Sequence, residues 1–215
     1  MSNMKAALVF GILCTFQVIT GQTSNAALDE IQTVIGHIDY RLANLDYALR
    51  RREEYVHEAV RMASVQLDRK QSEYSGRIEI CTYIHGIDES LIPACLEVAQ
   101  KNIMELMADA RSELENANSK EADSTNVMRS DISLAYEDQE KIKNDIYQKI
   151  EVCKTHVSEE LVNDCLNDLV PDLKEREEEM AVRIEQQILS IQESMPPSYQ
   201  NIQNAISIIV QDLDV

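Results

Sequence analysis

The sequence predicts an all-α fold, an elongated antiparallel helical bundle or coiled coil of two disulfide-stapled helical hairpins. Three observations lead to this prediction. Apolar residues recur at intervals of three and four along most of the chain, which is the period of one helix face. The 215 residues include only 5 glycines and no tryptophan, a composition that argues against a β-sandwich or an α/β fold. A short cysteine-containing stretch also occurs twice.

The repeated stretch has the pattern basic, Ile, Glu, apolar, Cys. The first copy ends at Cys81 and is followed by Cys95; the second copy ends at Cys153 and is followed by Cys165. The first cysteines of the two copies lie 72 residues apart and the second cysteines 70 apart. Self-similarity at a nearly fixed offset indicates a duplicated unit.

Each copy predicts a bend between two antiparallel helices. Asp88 and Ser158 are suitable N-cap residues, because their side-chain oxygens accept backbone N–H groups that the first helical turn leaves unpaired. Glu89 and Glu159 follow them and place negative charge at the positive end of the helix dipole. A second helix is therefore expected to begin near residue 88 in one copy and residue 158 in the other.

The cysteines lie about one turn before and two turns after these bends, so antiparallel helices can bring them together. We predict the local disulfides Cys81–Cys95 and Cys153–Cys165, although four cysteines allow three pairings. A zinc site is the competing use of four cysteines, but the spacings differ from the CxxC pairs of such sites. No metal or cofactor is predicted.

Residues 1–21 resemble a secretory signal peptide. Lys5 supplies the positive charge, Ala6–Ile19 is apolar, and cleavage is expected after Gly21. An uncleaved anchor is the alternative, but the apolar run is shorter than the roughly 20 residues that a membrane span needs. Cleavage would remove Cys14 and leave four cysteines in an oxidising compartment. The expected location is extracellular, and no membrane span is predicted.

Polar and proline-containing segments divide the rest of the chain. The stretch from Glu115 to Thr125 lacks an apolar period and is predicted to be a loop. Pro196 and Pro197 are predicted to end a helix, with Ser198 capping a short final one. The predicted organisation is a first hairpin over 22–117, a connecting loop over 118–125, a second hairpin over 126–195 and a C-terminal short helix over 196–215.

The first predicted helix carries a continuous coiled-coil seam that weakens at Arg52. If the other helices are too short to cover the seam, it can form a homodimer. The seam residues expected at that interface are Leu28, Ile31, Ile35, Ile38, Leu42 and Leu45. The net charge of −18 argues against nucleic acid as a partner, because the long-range field is repulsive.

No residue pattern predicts catalysis, and the expected protein is not an enzyme. Glu54-x-x-His57 is half of a carboxylate-bridged di-iron signature, but the second half is missing from the sequence. His85 and His156 recur near the two bends, where interaction with free helix carbonyls is the ordinary role. The basic cluster 50–52 precedes two glutamates and predicts a solvent-facing salt-bridge strip.

The signal peptide, the acidic helical body and the paired cysteines together resemble the insect secreted proteins that carry the tsetse EP-type domain. The resemblance covers about residues 28–195 and depends on Cys81, Cys95, Cys153 and Cys165. It implies a small extracellular helical protein of undefined biochemical activity. The Glu-Pro repeats for which the family is named do not occur in this sequence.

Two functions are expected from these features. The first is a secreted, non-enzymatic binding or structural protein whose helices present an acidic surface to an extracellular protein or matrix. The alternative is an extracellular carrier of lipid or another apolar ligand, held between the helices of the bundle. Six of the eight methionines lie after the predicted signal peptide and suit an adaptable lining for such a ligand, although filling gaps in the core is their more usual role.

Overall fold

The computed structural model describes residues 26–81 and 92–213, and all of its secondary structure in these ranges is helical. Helix α1 is Ala26–Cys81, α2 is Ile92–Cys153 and α3 is Glu159–Leu213. The all-α prediction is confirmed. The predicted signal peptide and the bend with His85, Asp88 and Glu89 lie outside the described residues.

The chain divides into two compact units, and each helix contributes residues to both. In the described ranges, unit 1 contains residues 26–37 and 143–177. Unit 2 contains residues 38–81, 92–142 and 178–213.

Within unit 2, α1 and α2 are antiparallel and α1 and α3 are parallel. On the antiparallel side, Arg111 of α2 contacts Asp68 and Gln71 of α1, and the Tyr136 hydroxyl donates a hydrogen bond to the Leu42 carbonyl. On the parallel side, Arg41 forms an ion pair with Glu185 at 2.9 Å. The three segments therefore form a three-helix bundle within this unit.

Among the described residues of unit 2, two apolar clusters are each built from all three helices. Cluster A contains Ile38, Leu42, Leu45, Ala48, Leu49, Ile132, Met180, Ile184 and Ile191. Cluster B contains Val56, Ala59, Ala63, Leu67, Met107, Ala110, Leu114, Ile202, Ile206 and Val210. Two of the four α1 residues in cluster B are alanines, Ala59 and Ala63, whereas the α1 residues of cluster A are mostly Leu and Ile.

Unit 1 repeats the three-segment arrangement around the bend between α2 and α3. Its buried apolar residues come from all three helices and include Ile31, Ile146, Leu166 and Leu173. Three backbone N–H groups at the end of α2 donate to carbonyls of its last turn. The Leu161 N–H donates to the Ser158 hydroxyl at 3.3 Å, which is the predicted N-cap interaction.

The predicted loop at 118–125 is wrong, because α2 continues through it without a break. The loop was predicted because this segment lacks an apolar period. Glu121 and Thr125 are instead buried against α1, where they bind an arginine side chain. The polar side chains of this segment therefore find their partners inside the bundle. The predicted boundary between the hairpins at 22–117 and 126–195 falls within one continuous helix.

The predicted end of a helix at Pro196 and the separate short helix over 196–215 are also wrong. Helix α3 runs through both Pro196 and Pro197, and through Pro171 nearer its start. All three prolines are exposed, so water can hydrate the carbonyls that lose an N–H partner. Ile191 and Ile202, on either side of the Pro-Pro pair, are buried in the two clusters and hold the helix together.

The predicted homodimer seam is occupied by the chain's own helices. Ile31, Ile35, Ile38, Leu42 and Leu45 are all buried, and Leu28 is half-buried. The expectation that α2 and α3 are too short to cover this seam was wrong, because α2 has 62 residues and α3 has 55. Five of the six seam residues are therefore covered within the chain, and a homodimer through this stripe stays a prediction.

The cysteines differ between the two copies of the repeat. Cys153 and Cys165 form the predicted disulfide across the bend of unit 1. Cys95 is a free, exposed thiol, and the side chain of Cys81 lies outside the described part of the chain. The Cys81–Cys95 pairing therefore stays a prediction.

Removing the Cys153–Cys165 bond is expected to lower the free energy of unfolding by about 3 kcal/mol, because the bridge restricts the unfolded chain around a short loop. Urea unfolding of the C153A/C165A variant measures the loss. C95A is the control and should change stability little, since this thiol is exposed and unbonded. No measurable loss in C153A/C165A would contradict the structural role of this bridge, whereas a loss in C95A would indicate that Cys95 is paired as well.

Candidate binding surface

A fully buried arginine separates the two apolar clusters of unit 2. Arg52 of α1 is 1% exposed and lies between Leu49 of cluster A and Val56 of cluster B. Its guanidinium contacts α2 through Thr125 and through Glu121, whose Oε2 lies 2.7 Å from Nη2. We call Arg52 and its polar partners the Arg52 layer.

The same guanidinium also binds α3 and completes a layer that joins all three helices. Nε donates to the Ser194 hydroxyl at 2.9 Å, and Nη2 to the Ser198 hydroxyl at 3.2 Å. Nη2 further contacts the Ser124 hydroxyl at 3.3 Å. One side chain of α1 therefore fixes the positions of α2 and α3 at the same level of the bundle.

The partner groups in the layer are themselves hydrogen-bonded. The hydroxyls of Thr125 and Ser194 donate to backbone carbonyls of their own helices, at 2.8 and 2.7 Å. The Ser198 hydroxyl lies 2.6 Å from Glu121 Oε2 and 2.8 Å from the Ser194 carbonyl, so its single proton can serve either acceptor. Among the described residues, no buried side-chain nitrogen or oxygen lacks a partner, which removes the main cost of burying these groups.

The Arg52 layer was missed by sequence reasoning, which placed residues 50–52 on a solvent-facing strip. The spacing contained the signal, because Arg52 follows Leu49 by three residues and precedes Val56 by four, a core position of the seam. Arg50 does pair with Asp46 on the surface. Only Arg51 and Arg50 are exposed, so the cluster is split between surface and core.

Directly beside this layer, the surface of unit 2 carries a groove between α1 and α3 with a volume of about 380 Å³. We call it the α1–α3 groove. Its seven lining residues combine apolar, amide, aromatic and cationic side chains: Asn44, Tyr47, Ala48, Arg51, Ile188, Gln192 and Met195. Further along the same pair of helices, the partly exposed rings of Tyr55 and Tyr199 contact each other, with centroids 5.9 Å apart.

A second groove, of about 410 Å³, lies between α1 and α2. Its charged residues are already paired with each other, Arg50 with Asp46 and Arg129 with Glu53. Partial burial raises the pKa of the Tyr136 hydroxyl at its edge, and the Asp46 carboxylate raises it further. This groove therefore has little unused charge for a ligand.

The candidate metal and histidine positions are on the surface. Glu54 and His57 are both exposed on α1, and His156 is exposed in the bend of unit 1. The backbone N–H of His156 donates to the Cys153 carbonyl at 3.2 Å, at the end of α2. In the described part of the chain, no three His, Cys, Asp or Glu side chains are grouped so that they can hold a metal ion.

Unit 1 has a network of partly exposed ion pairs between α2 and α3. Lys149 contacts both Asp145 and Asp172, at 3.1 and 3.2 Å, and Arg176 contacts Asp145 at 2.9 Å. Lys149, with Arg176, lowers the pKa of Asp145 below its ordinary value. The two carboxylates raise the pKa of Lys149.

Comparison of the chain with protein-family models, curated proteins and solved structures found no match. The resemblance to the EP-type family therefore stays a prediction. In the ranges that the structure describes, none of the helices is both long and apolar enough to cross a membrane.

The R52M variant is expected to lose about 3–5 kcal/mol of unfolding free energy, because it leaves Glu121 buried without its cation. The double variant R52M/E121M should recover most of that loss, since the remaining hydroxyls keep their backbone acceptors. Urea unfolding followed by circular dichroism measures both. The control R61M breaks the fully exposed pair with Glu58 and should change little. A small loss in R52M, or no recovery in the double variant, would contradict the layer's energetic role.

The D145N variant tests the ion pairs of unit 1 through pH. The lowered pKa means that folding stabilises the charged carboxylate, so its contribution is present above the ordinary value of 3.8 and disappears as pH falls through the lower folded value. At pH 7 the wild type should be more stable by under about 1 kcal/mol, given the exposure of the pair. As the pH falls below 3.8 the difference should shrink toward zero. D131N, which breaks no described ion pair, should show no such pH dependence.

Proposed function

We propose that this protein is a secreted, non-enzymatic binding protein whose helical surfaces contact an extracellular protein. The observation that carries the proposal is the α1–α3 groove, an open surface with an exposed tyrosine and a charged side chain on helices that the Arg52 layer holds in place. Rigid elements present such groups at little entropic cost, which favours binding.

Secretion is supported by the apolar segment Ala6–Ile19 and by the Cys153–Cys165 disulfide. Structural disulfides persist in oxidising compartments and are rare in the cytosol. The two features are independent, because one is a sequence pattern near the N-terminus and the other is a bond in unit 1.

The distribution of charge supports different roles for different helices. Helix α3 has 12 acidic and 3 basic residues, whereas α1 has 10 acidic and 8 basic. Most of the acidity that keeps the protein soluble is therefore on α3 and α2. Helix α1 is nearly neutral, and so is the part of α3 at the groove, because residues 180–211 contain only Arg183, Glu185 and Glu193 as charged residues. A nearly neutral surface is more suitable for close contact with a partner than one of high like charge.

An extracellular lipid carrier is the second candidate. Exposed apolar side chains on α2, such as Met104, Val127 and Leu134, favour it, because a helix with apolar groups on more than one face can lie against lipid. The grooves favour a protein partner instead. Both are lined in part by charged or amide side chains, and an acyl chain would leave those groups without hydrogen bonds.

Native mass spectrometry of the protein, purified from culture medium without detergent, tests the proposal. The expected species is the chain from Gln22 onward, either alone or with a bound protein and without small apolar molecules. Denaturation that releases fatty acid or sterol in a fixed ratio to protein would replace the proposal with the carrier function. Retention of the protein inside the cells would contradict secretion.

A further inference from the structure

Arg51 differs from nearly all other arginines of this acidic protein because it lacks a carboxylate partner in the described residues. Nine of the eleven arginines form ion pairs with described aspartates or glutamates. The two exceptions, Arg51 and Arg69, are both exposed on α1. Only Arg51 lines one of the two grooves described above.

The surroundings of Arg51 define the chemistry of a ligand. A guanidinium binds a carboxylate through two parallel N–H donors, and that geometry is specific. Asn44 and Gln192 add two side-chain amides, which can also donate hydrogen bonds, to the same groove. Ala48, Ile188 and Met195 supply apolar surface beside them, and the Tyr47 side chain is 61% exposed. The groove therefore suits a carboxylate that lies next to an apolar or aromatic group.

The groove is preorganised by the Arg52 layer. Arg52 is the neighbour of Arg51 in the chain, and it holds Ser194 of α3 at 2.9 Å. Ser194 in turn lies between Gln192 and Met195, which line the groove. A ligand consequently meets two helices whose relative position is already fixed, and its binding does not have to order them.

We propose that the α1–α3 groove binds a segment of a partner protein in which a carboxylate adjoins an aromatic or aliphatic side chain. This inference deepens the proposed function and rests on it. Tyrosine, methionine and arginine are among the residue types enriched in protein interfaces, and the Tyr55–Tyr199 pair extends the surface beyond the groove. Because the chain has a net charge of −18, a partner that is acidic overall would be repelled. The carboxylate therefore belongs to a segment that is otherwise neutral or basic.

Selection from a displayed library of random 12-residue peptides tests the proposal on the full chain with its disulfide intact. The enriched peptides should contain Asp or Glu beside Phe, Tyr, Trp or Leu. Synthetic copies of the best peptides should bind R51Q and Y47S about tenfold or more weakly than the wild type. Changing the peptide's acid to its amide should weaken binding to the wild type but not to R51Q.

The chain offers matched controls for both substitutions. R69Q removes the other unpaired arginine of α1, and Y40S removes another exposed tyrosine of the same helix, so each should change affinity less than about twofold. Thermal unfolding of the four variants checks that each is folded. Equal weakening by R51Q and R69Q would reveal a general charge effect and overturn the assigned site.

Other outcomes would also overturn the proposal. Enrichment of Lys- and Arg-rich peptides without acids would place binding on the acidic faces, and a library without enriched peptides would leave the groove without this activity. A dimer seen in sedimentation velocity for the wild type but not for R51Q would make the occupant a second copy of the chain. These results would overturn the groove proposal without any bound lipid. Bound lipid in native mass spectrometry would instead show that the proposed function itself is wrong.

Discussion

The hydrogen bonds of the buried Arg52 guanidinium are the constraint on which unit 2 depends. Helices whose contacts are all apolar can shift along one another with little change in the burial of similar side chains. A stripe of Leu, Ile and Ala alone therefore specifies the register of the three helices weakly. A charged group at the boundary removes this freedom, because any other register leaves Arg52 or Glu121 buried without a partner. Specification of register by a buried polar residue is well known in coiled coils. Arg52 acts here across three helices of one chain.

The sequence was sufficient for the class of fold and for the bend of unit 1, because both depend on local signals. Apolar spacing identified the helices, and Ser158, Cys153 and Cys165 identified the bend and its disulfide. The helix boundaries inside α2 and α3 could not be found in the same way. Pro196 normally interrupts a helix, and the polar segment ending at Thr125 normally forms a loop, but packing on both sides overrides these local preferences.

The candidate site was beyond sequence reasoning for a related reason. The seam spacing places Arg52, and not Arg51, at a core position, but it does not say which groups bind the buried guanidinium. The partners Glu121 and Ser198 are 69 and 146 residues away from Arg52 along the chain. Their contact follows from tertiary packing. The same register determines which residues of α1 and α3 lie beside each other in the groove. The contacts of Arg52 therefore determine both the packing of the core and the proposed binding surface.

Measuring hydrogen exchange at the Arg52 side-chain Nε–H tests most directly whether this arginine is buried and specifies the register of unit 2. In a protein labelled with ¹⁵N-arginine, the Arg52 Nε–H should persist in D₂O far longer than those of Arg51 and Arg69, and it should show proton–proton contacts with Ser194 of α3. Exchange as fast as that of the two exposed arginines, or contacts with residues of α1 alone, would contradict the buried layer and with it the register of unit 2.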